Sequence, residues 1–302
     1  MDLSTFIVCV FCLVDDLLKG ERLRQRGPAP KLSDSEVLTM EVVGEFLGLD
    51  TDKAIYLYFK RHYPHYFPMV REVHRTTFAR QGANLWKAKE HLWQRLLEHE
   101  LALGGELEEP LMAIDSFPIP VCKKVRSYRC RVMRDLADRG RDSELGKFLG
   151  MRAHILIAWP GIMVRAEVCA ANVHDTRPAE RLLEGVGRAW VLADRNYWSP
   201  NLRKQLYDVE GGPALVARFK LKNSAEKERG LAWPRWLSEK RQKIETLFSQ
   251  LVGRYNMKVV WARDSWHFAS RLMRKILSHT VAVVLCRREG IAPTRFGELL
   301  TD

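Results

Sequence analysis

The chain has 302 residues, 46% of them hydrophobic and 28% charged, which can fill the core of one large domain or two modest ones and is too apolar for a disordered chain. Lys and Arg number 49 against 37 Asp and Glu, a formal charge of +12, and no apolar run approaches the ~20 residues that a membrane helix needs. Membrane-crossing helices and low-complexity architectures are excluded, and an anionic partner is favoured.

Phe6–Val14 is the first apolar run. It is short and follows Asp2 rather than a basic segment, so it reads as a core helix and not an export signal. Cys9 and Cys12 form a C-x-x-C inside it, without a second pair at zinc-finger spacing. Both are expected to be buried core thiols, with no structural metal. Cys122, Cys130, Cys169 and Cys286 are scattered, as reduced thiols in a cytoplasm would be.

Ser33-Asp-Ser-Glu36 is a capping box, followed at helical spacing by Val37, Leu38, Val42, Val43, Phe46 and Leu47. A second helix is predicted from Thr51 or Asp52 to about His62, and Pro64 and Pro68 then break the pattern. Another begins near Arg75-Thr-Thr-Phe78 and runs on through Leu97, with a break at Gly82. Residues 60–90 are basic within an otherwise acidic region. Short helices followed by a basic one fit a helix-turn-helix DNA reader. They also fit a plain bundle with a solvated face, which the residues alone favour. Ala102–Pro110, with paired glycines, acids and a final proline, reads as a boundary, so the helical region is taken as 1–105.

Beyond it the period changes. Leu111–Ile114 is a short apolar strand ending at Asp115, and His154–Trp159 and Ile162–Cys169 flank a Pro160-Gly161 turn. A helix opens at Thr176-Arg-Pro178, with Thr176 as its cap. Trp190–Ala193 is a strand ending at Asp194, Ser199-Pro200 begins a helix, and Ala214–Phe219 is a further strand. Two helices follow, Pro234–Met257 and Trp266–Cys286, the latter expected to lay an apolar side on the sheet. Residues 106–302 therefore read as an α/β core with a mixed sheet.

Charge follows the same division. Residues 1–110 carry 14 basic and 17 acidic residues, a net −3, which leaves +15 for residues 111–302. The densest run is Lys123, Lys124, Arg126, Arg129, Arg131 and Arg134, within an insertion at about 122–147. Such a run is often only a solvated loop. A whole region at +15 makes nucleic acid the leading partner, because phosphate neutralisation dominates that affinity; an anionic membrane surface comes second. Arg271, Arg274, Lys275 and His279 line the last helix and would extend a phosphate track.

Asp115 and Asp194 close matching strands. If those strands are neighbours, both carboxylates enter one crevice, where mutual repulsion is relieved by a hard divalent cation such as Mg²⁺. Each alone would more simply cap the turn after its strand. In the long helix Leu237, Ile244, Phe248 and Leu251 form a stripe with Glu245 at its rim and Arg241 one turn earlier, either steadying that carboxylate or making an ordinary surface pair. Glu239 lies farther from the stripe. His154 and His174 read as hydrogen-bonded structural histidines.

At Ala-Ile-Asp115-Ser, Leu-Ala-Asp194-Arg-Asn-Tyr197 and Arg241-x-x-x-Glu245 the sequence resembles the DDE transposases of bacterial insertion sequences. It is similar to the family numbered nine-eight-two at Asp34-Ser-Glu-Val-Leu-Thr and Arg75-Thr-Thr-Phe-Ala-Arg80, and to such enzymes at Ala171-Asn-Val-His-Asp175. The resemblance implies an RNase H-like mixed sheet flanked by helices, preceded by an all-α N-terminal domain that binds element ends. It implies Asp115, Asp194 and Glu245 as catalytic ligands of two Mg²⁺ (or Mn²⁺) ions, with Arg241 and Tyr197 supporting. It also implies cleavage at terminal inverted repeats and transfer into target DNA, with a homodimer on DNA and no membrane partner. Lys123 to Arg134 would then hold DNA backbone close to the metals, and Arg75 and Arg80 would help to read the terminal repeat. Such enzymes often carry a Tyr three residues before the Arg and a Lys seven after the Glu; here Ser238 and Val252 stand there. Arg254, with Tyr255 and Lys258, is the nearby substitute for phosphate or base contacts. A metal nuclease that cuts without joining, and a transposase-derived DNA binder without catalysis, are the alternatives.

Overall fold

The computed structural model describes residues 1–21, 23, 27–101, 111–217 and 235–301. The chain divides into two compact units, one formed by 1–104 with 250–302 and the other by 105–249.

The first unit is helical. Helix α1 (Leu3–Leu18) is capped by Asp2, whose carboxylate accepts the Thr5 N–H at 2.7 Å, and it buries Phe6, Ile7, Val10, Leu13 and Val14. Cys12 falls off that stripe and is exposed while Cys9 is only half-buried, so the expected pair of core thiols is corrected. Helix α2 (Asp34–Phe46) starts at the Ser33/Glu36 capping box, and α3 (Asp52–His62) is capped by Thr51. The basic helix is broken into α4 (Arg75–Asn84) and α5 (Trp86–Arg95), with Leu85 as the joint and not Gly82, which lies inside α4.

The second unit holds a six-stranded mixed sheet: β1 (Leu111–Lys123), β2 (Asp138–Asp142), β3 (Gly146–Ala158), β4 (Ile162–Ala170), β5 (Trp190–Ala193) and β6 (Ala214–Ala217). β3 runs antiparallel to β1, and its outer edge is shared by β2 and β4; β5 is parallel to β1, and β6 to β5. The order β4-β3-β1-β5-β6, with the last two strands parallel to the first in sequence, is the RNase H-like arrangement. Two helices, α6 (Thr176–Leu183) and α7 (Pro200–Tyr207), bury Ala179, Leu182, Leu183 and Leu202 against Ile114, Leu156, Val191, Ala193 and Leu215 of the sheet. Helix α8 (Arg235–Arg254) begins in this unit.

Strand β1 is far longer than the Leu111–Ile114 run. Pro118 and Pro120 argue against a strand when read locally, yet both pair with β3 opposite Arg152 and Gly150. Leu111 accepts the Trp159 N–H, so odd-numbered β1 residues bond β3 and even-numbered ones face the β5 side. β5 pairs β1 only as far as Ile114. The nitrogens of Pro118 and Pro120 therefore face an edge where no hydrogen bond is lost.

The last helix corrects a second expectation. Helix α9 (Ser265–Arg288) is buried on nearly every side from Leu272 to Cys286, and it packs on α2, α4 and α5 instead of the sheet. Residues 250–302 thus join the helical unit, where 106–302 was expected to form one sheet domain. Arg274 and Lys275 are each 1% exposed and form no phosphate track. Arg274 pairs with Glu45 and with Asp52, both at 2.7 Å, and Lys275 with Glu45 at 3.0 Å. Lys89 pairs with Glu41 at 2.6 Å, and Arg271 with Asp52 at 2.6 Å. Burial works against the Arg274 cation, but Glu45, Glu41 and Asp52 outweigh it and hold its pKa above the ordinary value. A Cβ on Gly82 would stand 2.5 Å from Glu41 Oε1, so the network requires glycine there. His279 is buried with neither ring nitrogen hydrogen-bonded among the described residues.

Candidate active site

Ile114 and Ala193 form the last pair of the parallel β1–β5 ladder. Asp115 and Asp194 are the next residue on each strand, so the two carboxylates leave neighbouring strands at one level. Ile114 and Ala193 face the α6–α7 core. Strand alternation, which the extended backbone of Asp194 continues (φ −70, ψ 160), puts both aspartates on the opposite face. Both are half-buried.

The end of β5 also fixes the Asp115 carboxylate. Ser116 is the first even-numbered β1 residue beyond the β5 ladder, and its N–H is accepted by Asp115 Oδ1 at 2.8 Å. That bond draws the carboxylate to the β5 side of β1, the side on which Asp194 lies. After Asp194 a short 3₁₀ turn, closed by the Tyr197 N–H on the Asp194 carbonyl at 3.0 Å, returns Tyr197 to the core.

Tyr197 is 1% exposed, and its hydroxyl lies 2.9 Å from His154 Nδ1. His154 Nε2 lies 3.5 Å from Cys169 Sγ, which donates to the Arg152 carbonyl at 3.8 Å. Arg152 Nη1 donates to Ser116 Oγ at 3.2 Å. One proton arrangement satisfies the whole circuit: Tyr197 donates to Nδ1, and Nε2–H donates to the thiol. Within it Tyr197, His154 and Cys169 are held neutral beside the Arg152 cation. Burial, with Arg152 and Arg181 nearby, pushes His154 down to about 4. Burial, with Glu167 and Asp175, pushes Cys169 up to about 11. Burial and the Asp115 charge drive Tyr197 well above the usual phenol range. The Tyr197 hydroxyl is thus buried, near enough to Asp115 to feel its charge. Ser116, Arg152 and Cys169 were missed; the only local signal was Ser116 directly after the aspartate. His154 is the hydrogen-bonded structural histidine expected. His174 is exposed, with Nδ1 3.0 Å from Thr176 Oγ1.

Glu245 stands exposed on α8, as does Glu239. Lys240 Nζ lies 4.6 Å from the centre of the Trp159 ring, tying this helix to the end of β3. The Arg241 side chain falls outside the described residues. Among the described residues no group of three or more His, Cys, Asp or Glu side chains is placed to hold a metal ion. Asp115 and Asp194 each follow the last pair of the β1–β5 ladder, and Glu245 lies on α8.

The basic residues separate into groups. Lys123, Lys124, Arg126, Arg129, Arg131 and Arg134 are all exposed, as are Arg139 and Arg141 of β2. Lys123 lies eight residues along β1 from Asp115, roughly 26 Å at 3.3 Å per residue. Arg75 and Arg80 are exposed on α4. Arg254 stacks 4.4 Å over the Phe46 ring, and Tyr255 is fully buried.

Residues 106–264 match the family model described as Transposase DDE domain, and that span contains Asp115, Asp194 and Glu245. The chain belongs to this transposase family. A cryo-EM structure of the piggyBac transposase synaptic complex with hairpin DNA aligns over 98% of this chain and 76% of its own, with a TM-score of 0.49 and 8% identity. No curated protein matches the transposase chain, and no helix among its described residues is long and apolar enough to cross a membrane.

Proposed function

We propose that this transposase cuts DNA at the ends of a bacterial insertion sequence, of the family numbered nine-eight-two, and joins the freed ends to target DNA. The observation that carries the reading is the Ile114–Ala193 pair, which sets Asp115 and Asp194 side by side on one face at the end of a parallel ladder. Paired oxygen ligands suit a hard cation, and Asp115 and Asp194, with Glu245 as third ligand, would hold two Mg²⁺ or Mn²⁺ ions. When bound, the ions supply an activated water or 3′-hydroxyl and stabilisation of the leaving oxygen. The chain's own contribution is positional. The Ser116 N–H orients Asp115, and the buried circuit through Tyr197 and His154 sets the Asp194 turn against β1 and β3. No protein general base is assigned, because the circuit's histidine is neutral and enclosed.

The partner is double-stranded DNA, the element's terminal inverted repeats and the target, engaged in the bacterial cytoplasm by a homodimer. Lys123 to Arg134 supply phosphate contacts and Arg75 and Arg80 contacts to the repeat. Asp115→Asn, Asp194→Asn and Glu245→Gln are each expected to lower Mg²⁺-dependent cleavage of a terminal-repeat duplex at least ~10³-fold while the duplex is still bound. Wild-type cleavage in any one variant removes that residue from the ligand set. Joint products from pre-cleaved ends separate a transposase from a nuclease that only cuts; their absence leaves the nuclease.

A further inference from the structure

Between Lys53 and Arg71 the chain carries no acid, while Lys53, Lys60, Arg61, Arg71, His62 and His65 alternate with aromatic residues. In the helical unit the end of α3 and the turn after it gather these rings on the surface. Tyr58 lies 5.0 Å from His62 and 5.8 Å from Tyr63, centre to centre. Tyr63 lies 5.9 Å from His65 and 6.1 Å from Tyr66, nearly parallel to the latter at 11°, and His65 lies 4.4 Å from Tyr66.

The surface is anchored from below. Phe59 and Phe67, 0% and 2% exposed, meet edge to face at 5.3 Å, and Tyr63 lies 6.0 Å from Phe59. The Tyr56 hydroxyl donates to the Val73 carbonyl at 2.8 Å, closing the segment. His62, His65 and Tyr66 nevertheless remain exposed, Tyr66 at 39%, and Arg61 is exposed beside them. Helix α4, with Arg75 and Arg80, follows within the same unit.

We propose that this ring cluster is a stacking platform for unpaired bases of single-stranded DNA. Rings offer faces that accept any base, and cations without intervening carboxylates follow the phosphates; single-strand binders combine these two features. Duplex DNA, whose bases are stacked on one another, has no use for the rings. A second protein chain would find the surface apolar enough, but it would have to bury Arg61, His62 and His65 without a local acid. The proposal rests on the DNA-processing reading, since cleavage near element ends produces unpaired strands.

The test uses the full-length protein and fluorescence anisotropy with a labelled oligothymidylate and a labelled duplex of equal length, alongside sedimentation. Replacing His65 and Tyr66 together by Ala, both exposed and so removable without opening the core, is expected to weaken single-strand binding ~5–150-fold per lost base stack. The ratio of single-strand to duplex affinity falls accordingly. Tyr66→Phe, which keeps the ring, is expected to retain binding. Unchanged single-strand affinity in the double variant, no single-strand binding by the wild type, or a change in association state alone would each overturn the proposal. Loss of cleavage chemistry is read separately in the Asp115→Asn variant. If that variant still cuts, the catalytic reading fails while the platform stands or falls on its own binding data.

Discussion

Glu45 and Asp115 are both carboxylates set on regular secondary structure, but their surroundings differ in kind. Glu45 is 1% exposed and lies between Arg274 and Lys275, in a network of buried charges that also holds Glu41, Asp52 and Lys89. Asp115 is half-buried and backed by a circuit of neutral groups, Tyr197, His154 and Cys169. Charges that neutralise each other inside a protein fix which helices meet and leave little field outside. Carboxylates backed by neutral, enclosed groups keep their field for whatever approaches the strand ends. Burial of charge marks architecture in one unit; in the other the two aspartates stay partly exposed, as the proposed chemistry requires.

The sharpest way to break this comparison is to remove one charge from each unit. Arg274→Met leaves Glu45 and Asp52 buried without their main partner and is expected to cost ~3–5 kcal/mol in denaturant unfolding. Asp115→Asn should move stability by no more than ~0.5 kcal/mol while removing cleavage. Equal destabilisation by the two changes would erase the distinction.

Acid titration offers a second route. Burial lowers His279 to about 3 and His154 to about 4. Each is bound by protons more readily in the unfolded chain, so stability is full above pH ~6.5 and falls on acidification by ~1.4 kcal/mol per pH unit per histidine until the folded value is reached. Thermal melts of His279→Phe between pH 7 and 4 should show a shallower decline than the wild type. A parallel decline would mean that His279 is not enclosed in its neutral form.

Asp52 has the carboxylate version of the effect. Burial opposes its charge, but Arg274 and Arg271 outweigh it and hold it down to about 2. Its contribution is present above the unfolded pKa and is lost as pH falls from ~4 to ~2, amounting to about 2 kcal/mol. Asp52→Asn should remove that acid step, which unfolding curves at pH 5 and pH 3 would measure. The smallest stability effect belongs to the exposed loop. Changing Lys123, Lys124 and Arg126 to Ala should leave the melting curve nearly unmoved and reduce the salt slope of duplex binding by about 2–3; an unchanged slope would take the loop out of the interface.

The elements that read clearly from sequence were those with local causes. The Ser33 capping box, the Asp52–His62 helix and the Trp190–Ala193 strand all stand where they were expected. The matched positions of Asp115 and Asp194 were visible too, although Asp115 lies within β1 and not at its end, and only the parallel ladder makes the two neighbours. What did not read clearly depends on partners far away in sequence. Arg274 looks like any basic helix residue until Glu45, 229 positions earlier, is brought to it. β2, Asp-Arg-Gly-Arg-Asp, has no apolar alternation and is a strand because β3 offers it an edge. Cys12 was placed inside by its apolar neighbours, whereas the helical stripe through Phe6, Val10 and Leu13 leaves it on the outer face. The Tyr197–His154–Cys169 circuit draws on a turn and two strands, so no single segment announces it.

The prolines of β1 have one more consequence. From Ser116 onward that strand offers an edge beyond the reach of β5, beside the two aspartates. An open edge of this kind ordinarily recruits another strand, through ordered association or through aggregation. Pro118 and Pro120 have no N–H to give on that side, so an incoming strand meets a broken ladder. Among the described residues the edge beside the carboxylates is thereby closed to β-pairing and suited to partners that ask nothing of the peptide backbone, a sugar–phosphate chain among them.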